Sequence, residues 1–177
     1  IGQMLTNSVS IDIPIDDILS NNISSISQTV VASYDPNDKT ETHGGKIVFS
    51  DFNSSDYLTY TIRFENTGNA NAQTIRIEDV MDSQLDENTF ELVSASHEVT
   101  ARKNGSQFAF IFNNINLPPS IPNTDTGHGF VQYKIKPKPG FAVGDIIPNT
   151  AEIYFDNNPP IITNTFNTEF VQSLSNV

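Results

Sequence analysis

Residues 57–80 read YLTYTIRFENTGNANAQTIRIEDV and contain two runs in which apolar and polar side chains alternate. The apolar residues of these two runs are Leu58, Tyr60, Ile62, Phe64, Ile75 and Ile77. A period of two places them on one face of a β-strand. The segment 66–71 between the runs is rich in Asn and contains Gly68, which is typical of a turn. Two half-buried strands need a second sheet to cover them, which predicts a β-sandwich.

Similar alternating runs recur along the chain, separated by segments rich in Gly, Pro and Asn, and no helical period is present. This spacing predicts an all-β fold, an immunoglobulin-like antiparallel β-sandwich of Greek-key type. The predicted core comprises Leu58, Tyr60, Ile62, Phe64, Ile75, Ile77, Phe110, Val131, Tyr133, Ile153 and Phe155.

The N-terminal segment reads differently from the rest. Residues 9–15 alternate and contain Pro14, which favours an edge strand, and residues 28–33 have the composition of a second strand. We therefore expect residues 1–33 either to be the end of an upstream domain or linker strands, or to pack on the sandwich as extra N-terminal strands. The sandwich is expected at residues 34–170 and a tail at 171–177. A start at Ile1 without Met or a signal peptide suggests a fragment of a longer protein.

The composition excludes several classes of function. The chain has 9 Lys and Arg against 21 Asp and Glu, a formal charge of −12. Such a surface repels nucleic acid and anionic membranes, so we expect neither as a partner. The absence of cysteine excludes disulfides and thiolate chemistry. No apolar run has the ~18 residues of a membrane-spanning helix.

Three segments resemble a known domain family: SYDPNDK at 33–39, LTYTIRFENTGNANA at 58–72 together with IRIEDVMDSQLD at 75–86, and IPNTAEIYFDNNPPIITNT at 147–165. Together they are similar to an uncharacterised immunoglobulin-like repeat domain of large bacterial secreted and cell-surface proteins, which often precedes the C-terminal sorting domain of type IX secretion cargo. The resemblance implies a secreted or cell-surface location and a non-enzymatic role as a structural spacer or adhesin stalk. Its expected partners are neighbouring domains of the same chain.

No catalytic constellation is present in the sequence. The three histidines lie far apart and no serine occupies a nucleophile elbow. The acidic residues fall mainly in turns, where solvated Asp is ordinary. We therefore predict that the chain is not an enzyme.

Calcium is the one cofactor that the sequence suggests, because hard cations bind the oxygens that Asp- and Asn-rich loops supply. The predicted ligands are Asp35, Asn37, Asp38, Asp79 and Asp82. The alternative is that residues 35–38 form an ordinary Asx turn. The second functional hypothesis is thus a calcium-dependent module that binds a glycan or a cell-surface protein.

A covalent cross-link is a further hypothesis. Some surface repeat sandwiches that this domain resembles join a Lys of the first strand to an Asn of the last, with catalysis by a buried carboxyl group. Here Lys39 or Lys46, Asn149, and Asp79 or Glu78 occur in the required order. However, Lys39 lies in a polar corner and Asn149 directly follows a proline, which predicts solvated side chains. The sequence therefore favours the simpler alternative, a hydrogen bond from Asn149 to a neighbouring loop.

Overall fold

A computed structural model describes residues 3–10, 23–30 and 36–174, in two compact units, Ile1–Asp35 and Pro36–Val177. In the first unit, strands β1 (Gln3–Ser10) and β2 (Ile23–Val30) form an antiparallel hairpin. Both strands begin earlier in the chain than expected, and the rest of the two predicted strands lies outside the described residues. The assignment of this unit to an upstream domain stays a prediction.

In the second unit, the regular elements of residues 36–174 are strands, apart from a short 3-10 turn at Phe49–Asp51. Its strands are β3 (Lys39–Glu41), β4 (Lys46–Val48), β5 (Leu58–Glu65), β6 (Ala72–Val80), β7 (Leu85–Ala95), β8 (Thr100–Asn104), β9 (Gln107–Leu117), β10 (His128–Pro137), β11 (Ile146–Asn149), β12 (Ala151–Phe155), β13 (Ile161–Ile162) and β14 (Phe166–Val171). Within the described ranges, no helix is long and apolar enough to cross a membrane.

The strands form three sheets, ordered β3-β5-β10-β7, β11-β14-β4 and β13-β12-β6-β9-β8. The paired strands are antiparallel except β4, which runs parallel to β14. The predicted β-sandwich is confirmed, with this one parallel pair as a difference. The apolar faces of the sheets meet in a single aromatic-rich core.

The core follows the period-two pattern of the strands. All predicted core residues except Phe155 are at most 1% exposed. Phe155 is the last residue of β12 and is only half-buried, because the strand ends there in a turn. In β5 and β10, Tyr60 is paired with Tyr133, which brings the two rings to 5.5 Å. Phe110 of β9 stacks on the Tyr133 ring at 5.6 Å.

We expect Phe110→Ala to lower the free energy of unfolding by about 3–5 kcal/mol, because it removes a fully buried ring and leaves a cavity. Phe130→Ala is the matched control, since that ring lies on β10 and is 36% exposed. Urea unfolding of both variants measures the difference. Equal losses of stability would contradict the packing described here.

Candidate functional site

A lysine, an aspartate and an asparagine meet in the core, one from each sheet. Lys39 is 0% exposed, and its Nζ contacts both Asp79 Oδ2 and, at 2.6 Å, Asn149 Oδ1. Asp79 is also fully buried, and Asn149 is 2% exposed. Lys39 lies on β3, Asp79 on β6 and Asn149 at the end of β11. We refer to Lys39, Asp79 and Asn149 as the triad.

Successive side chains of a strand point to opposite faces of its sheet, and Asp79 and Asn149 both lie on the inward face of their strands. Asp79 continues the inward phase of Ile75 and Ile77 on β6, and its neighbour across the sheet is the buried Ala151 of β12. Asn149 likewise continues the phase of the buried Ile147. The site thus occupies positions at which the pattern would otherwise require apolar side chains.

The backbone of Lys39 is fixed by a side chain that imitates a neighbouring strand. Asn164 Oδ1 accepts the Lys39 N–H at 2.8 Å, and Asn164 Nδ2 donates to the Lys39 carbonyl oxygen at 2.9 Å. On its other edge, β3 pairs with β5. Both edges of β3 are therefore hydrogen-bonded around Lys39, one edge to the Asn164 side chain and the other to β5.

Two tyrosines enclose the amine. Lys39 Nζ lies 5.2 Å from the ring centre of Tyr60 and 5.6 Å from that of Tyr133. The Tyr133 hydroxyl donates to Asp79 Oδ2 at 2.8 Å and accepts from Asn149 Nδ2 at 3.1 Å. The Tyr60 hydroxyl is buried close to Thr168 and Asn149 but makes no hydrogen bond of good geometry to a described residue.

Burial controls the protonation of these groups. Desolvation lowers the pKa of the Lys39 amine, and the charge and hydrogen bond of Asp79 only partly oppose this effect. Desolvation also raises the pKa of both tyrosine hydroxyls, with a further contribution at Tyr133 from the negative charge of Asp79. A lowered lysine pKa favours the neutral amine, which is a nucleophile. Beside it lies the Asn149 amide, whose carbonyl carbon Cγ is an electrophile.

The structure corrects two expectations about this site. Lys39 and Asn149 are buried, so the predicted solvation is wrong, and Asn149 bonds to Lys39 and Tyr133 instead of a neighbouring loop. The structure also distinguishes the alternative residues. Lys46 is 58% exposed beside Glu169, and Glu78 faces outward on β6.

The predicted calcium ligands do not form one cluster. Asn37 accepts a hydrogen bond from a β5 backbone N–H, and Asp38 pairs with an arginine of the same strand. Asp82 accepts the N–H of the residue two positions later, and Asp79 belongs to the triad. Asp35 lies outside the described residues. Among the described residues no group of three or more His, Asp or Glu could hold a metal ion. Calcium binding stays a prediction.

Sequence reasoning missed two residues of the site. The strand pattern predicts Tyr133 as a core residue only, although a buried tyrosine on the inward phase of a strand needs a partner for its hydroxyl. Asn164 follows the two-residue strand β13 and carries no periodic pattern that identifies it. The first could have been found from the sequence, whereas the second depends on tertiary structure.

A family model described as a domain of unknown function, DUF7619, matches residues 35–169. No curated protein matches the sequence. The match agrees with the resemblance to an uncharacterised domain stated above, and it says nothing about type IX secretion.

Several solved structures have a similar fold. Domains D2 and D3 of the major pilin SpaD from Corynebacterium diphtheriae align with a TM-score of 0.54 and 18% identity, over 75% of this chain and 52% of that one. The N-terminal domain of the Streptococcus gordonii adhesin Sgo0707 aligns with a TM-score of 0.57 and 17% identity, over 85% and 36%. The major pilin BcpA of Bacillus cereus gives 0.53 and 16%, over 75% and 39%. The chain therefore spans about half or less of these proteins, and the likeness concerns the fold.

The lowered pKa of Lys39 predicts a stability that depends on pH. Asn149→Ala keeps Lys39 as a free amine without an amide to attack. As the pH rises, the folded chain loses this proton before the unfolded chain, whose lysine titrates near the ordinary value of 10.5. The unfolded state then binds more protons, so stability increases with pH in this window.

We expect the urea midpoint of Asn149→Ala to rise as the pH is raised toward 10.5. The double variant Lys39→Met, Asn149→Ala is the control and should lack this rise. The same pH dependence in both proteins would show that Lys39 is not its source.

Proposed function

We propose that this chain, which belongs to the DUF7619 family, is an extracellular structural module that reinforces itself with an amide cross-link between Lys39 and Asn149. One observation supports this most directly: the Lys39 amine lies on the Asn149 amide, beside a carboxyl group and away from water. The module is a non-enzymatic spacer or adhesin stalk domain, because the reaction occurs once and consumes its own side chains.

The chemistry requires a neutral amine, a polarised amide and a group that moves protons. Lys39 Nζ attacks Asn149 Cγ, a bond forms between them, and the Cγ–Nδ2 bond breaks. One proton leaves Nζ and one is gained by Nδ2, which departs as ammonia. Asp79 contacts Nζ and can pass these protons, ending in the state in which it began. Holding amine and amide in contact supplies the orientation that a bimolecular reaction lacks.

The position of the link suits a load-bearing module. Lys39 and Asn149 are 110 residues apart in sequence, and Lys39 lies on the first strand of the second unit. Tension that enters through β3 would pass through the amide bond directly to β11. The intervening chain, which contains most of the core, would then remain folded under load.

The structural neighbours support the location of the module. They include a major pilin and an adhesin, both from bacteria, which favours a bacterial surface or secreted protein. Neighbouring domains of the same chain, and a surface partner, are the interactions that follow from such a role. Type IX export is part of the proposal and is supported by the family resemblance of the sequence alone.

Intact mass tests the cross-link. We expect the folded wild-type protein to be lighter than its sequence by one ammonia, because the amide bond expels one. Lys39→Met and Asp79→Asn should each have the full mass, the first because the nucleophile is absent and the second because the carboxyl group is absent.

Lys46 and Glu78 provide matched controls, because they are the alternative lysine and carboxyl group that the structure places outside the core. Lys46→Met and Glu78→Gln should both keep the loss of ammonia. A wild-type mass equal to the unmodified sequence would refute the proposed function.

Single-molecule pulling tests the mechanical role. We expect wild-type protein to release about 360–400 Å less length than Lys39→Met, because the chain between the two linked residues, which are 110 positions apart, cannot extend. Lys46→Met should resemble wild type. Equal lengths for wild type and Lys39→Met would show that the loop is not closed.

A further inference from the structure

Tyr133 connects the two reacting partners of the triad. Its hydroxyl donates to Asp79 Oδ2 at 2.8 Å and accepts from Asn149 Nδ2 at 3.1 Å. The ring is fully buried, and it packs against Phe110, Phe90 and Tyr60 at centre distances of 5.5–5.6 Å. The hydroxyl is therefore held in place by packing on several sides.

This hydrogen bond sets the orientation of the reacting amide. Asn149 Oδ1 faces the Lys39 amine, and Nδ2 faces the Tyr133 oxygen. In the reverse orientation, the N–H groups would face the amine and the oxygen would face a hydroxyl that already donates to Asp79. Nδ2 is the nitrogen that departs as ammonia, so Tyr133 contacts the leaving group itself.

We propose that Tyr133 donates the proton to the departing nitrogen of Asn149, an inference that rests on the proposed cross-link. Starting from a neutral amine, Nζ bonds to Cγ and gives its surplus proton to Asp79 Oδ2, which it contacts. The protonated carboxyl group then donates to the Tyr133 oxygen, which reverses the hydrogen bond between them and frees the hydroxyl proton. Tyr133 gives that proton to Nδ2 and takes up the Asp79 proton, the Cγ–Nδ2 bond breaks, and ammonia leaves. Both helpers end as they began, and one proton has moved from Nζ to Nδ2.

Burial favours this role for the hydroxyl. A tyrosine whose pKa is raised stays protonated, so Tyr133 always has a proton to pass on. A buried proton relay also keeps charges from forming in a site where they would be poorly solvated. The carboxyl group lies on one side of the hydroxyl and the leaving nitrogen on the other, which is the order that a relay requires.

An open cleft lies next to the leaving group on the same side. Asn149 Nδ2 lies 4.0 Å from the sulfur of Met81, and the Tyr133 oxygen lies 3.7 Å from it. Met81 and Asn149 both line an open cleft of about 720 Å³, whose wall also carries Glu78, Asp82 and Glu152. Methionine is a flexible side chain that can move aside, and the acidic wall would attract an ammonium ion.

The experiment follows the reaction after refolding. Chains are unfolded in urea before they have cross-linked, diluted into buffer and sampled over time for the loss of ammonia by intact mass. We expect Tyr133→Phe to form the bond about a hundredfold or more slowly than wild type, the usual contribution of a general acid. Tyr57→Phe should react at close to the wild-type rate, because its hydroxyl donates to Glu91 at the surface and does not contact the triad.

Loosened packing is the competing explanation for a slow variant. Phe110→Leu disturbs the ring that stacks on Tyr133 but removes no polar group. The loss of stability that each variant causes is measured in the Asn149→Ala background, where no cross-link can form. If Phe110→Leu loses as much stability as Tyr133→Phe or more, it should still form the cross-link faster. If the rates of both variants simply follow their stabilities, Tyr133 is structural and the inference is wrong.

A second measurement avoids any risk that Tyr133→Phe fails to fold. Global replacement of tyrosine by 3-fluorotyrosine in the Tyr60→Phe protein keeps the Tyr133 ring and hydroxyl but makes the hydroxyl a stronger acid. We expect its rate of cross-linking to differ from that of the unlabelled Tyr60→Phe protein, because general-acid rates depend on the pKa of the donor. An unchanged rate overturns the relay.

The two proposals fail in different ways. Wild-type protein that never loses ammonia refutes the cross-link and the relay together. Wild-type protein that loses ammonia at the same rate as Tyr133→Phe refutes the relay alone.

Discussion

The burial of the Lys39 amine is the constraint on which the arrangement of the site depends. An unpaired charge in a dry interior costs several kcal/mol, so the amine needs partners wherever the chain places it. Its partners come from two other sheets, Asp79 from one and Asn149 from the other. The three sheets must therefore meet in one relative position for the amine to be satisfied. The polar contact adds direction to a core whose apolar contacts are largely non-directional.

The fold could be predicted because burial in a sandwich follows a period of two. The pattern on β5 identifies Tyr60, Ile62 and Phe64, since each strand is long enough to show several repeats. Prediction failed where the repeats end. Phe155 keeps the inward phase but lies at the last position of β12, where the covering layer stops. The parallel pairing of β4 with β14 depends on tertiary contacts that no local pattern contains.

The residues of the site could be predicted only in part from the sequence, for a related physical reason. Asp79 and Asn149 lie on the apolar phase of their strands, and a charged or amide side chain at such a position is itself informative. Glu78, on the opposite phase, could have been rejected on that basis. Lys39 belongs to a strand of three residues, too short to show a phase, and its polar neighbours suggest exposure. Its burial is imposed by Asn164 and β5, which lie far away in sequence.

A cross-link would remove the electrostatic difficulty that the triad creates. Before reaction, the interior holds an amine whose charge is poorly solvated, which favours its neutral and reactive form. After reaction, the amine has become an amide nitrogen that carries no charge and no longer titrates. The departure of ammonia through an open cleft makes the change irreversible in dilute solution. The same burial that makes the unreacted core costly thus promotes the reaction that relieves it, and Tyr133 remains beside Asp79 as a hydrogen-bond partner for the carboxyl group that is left.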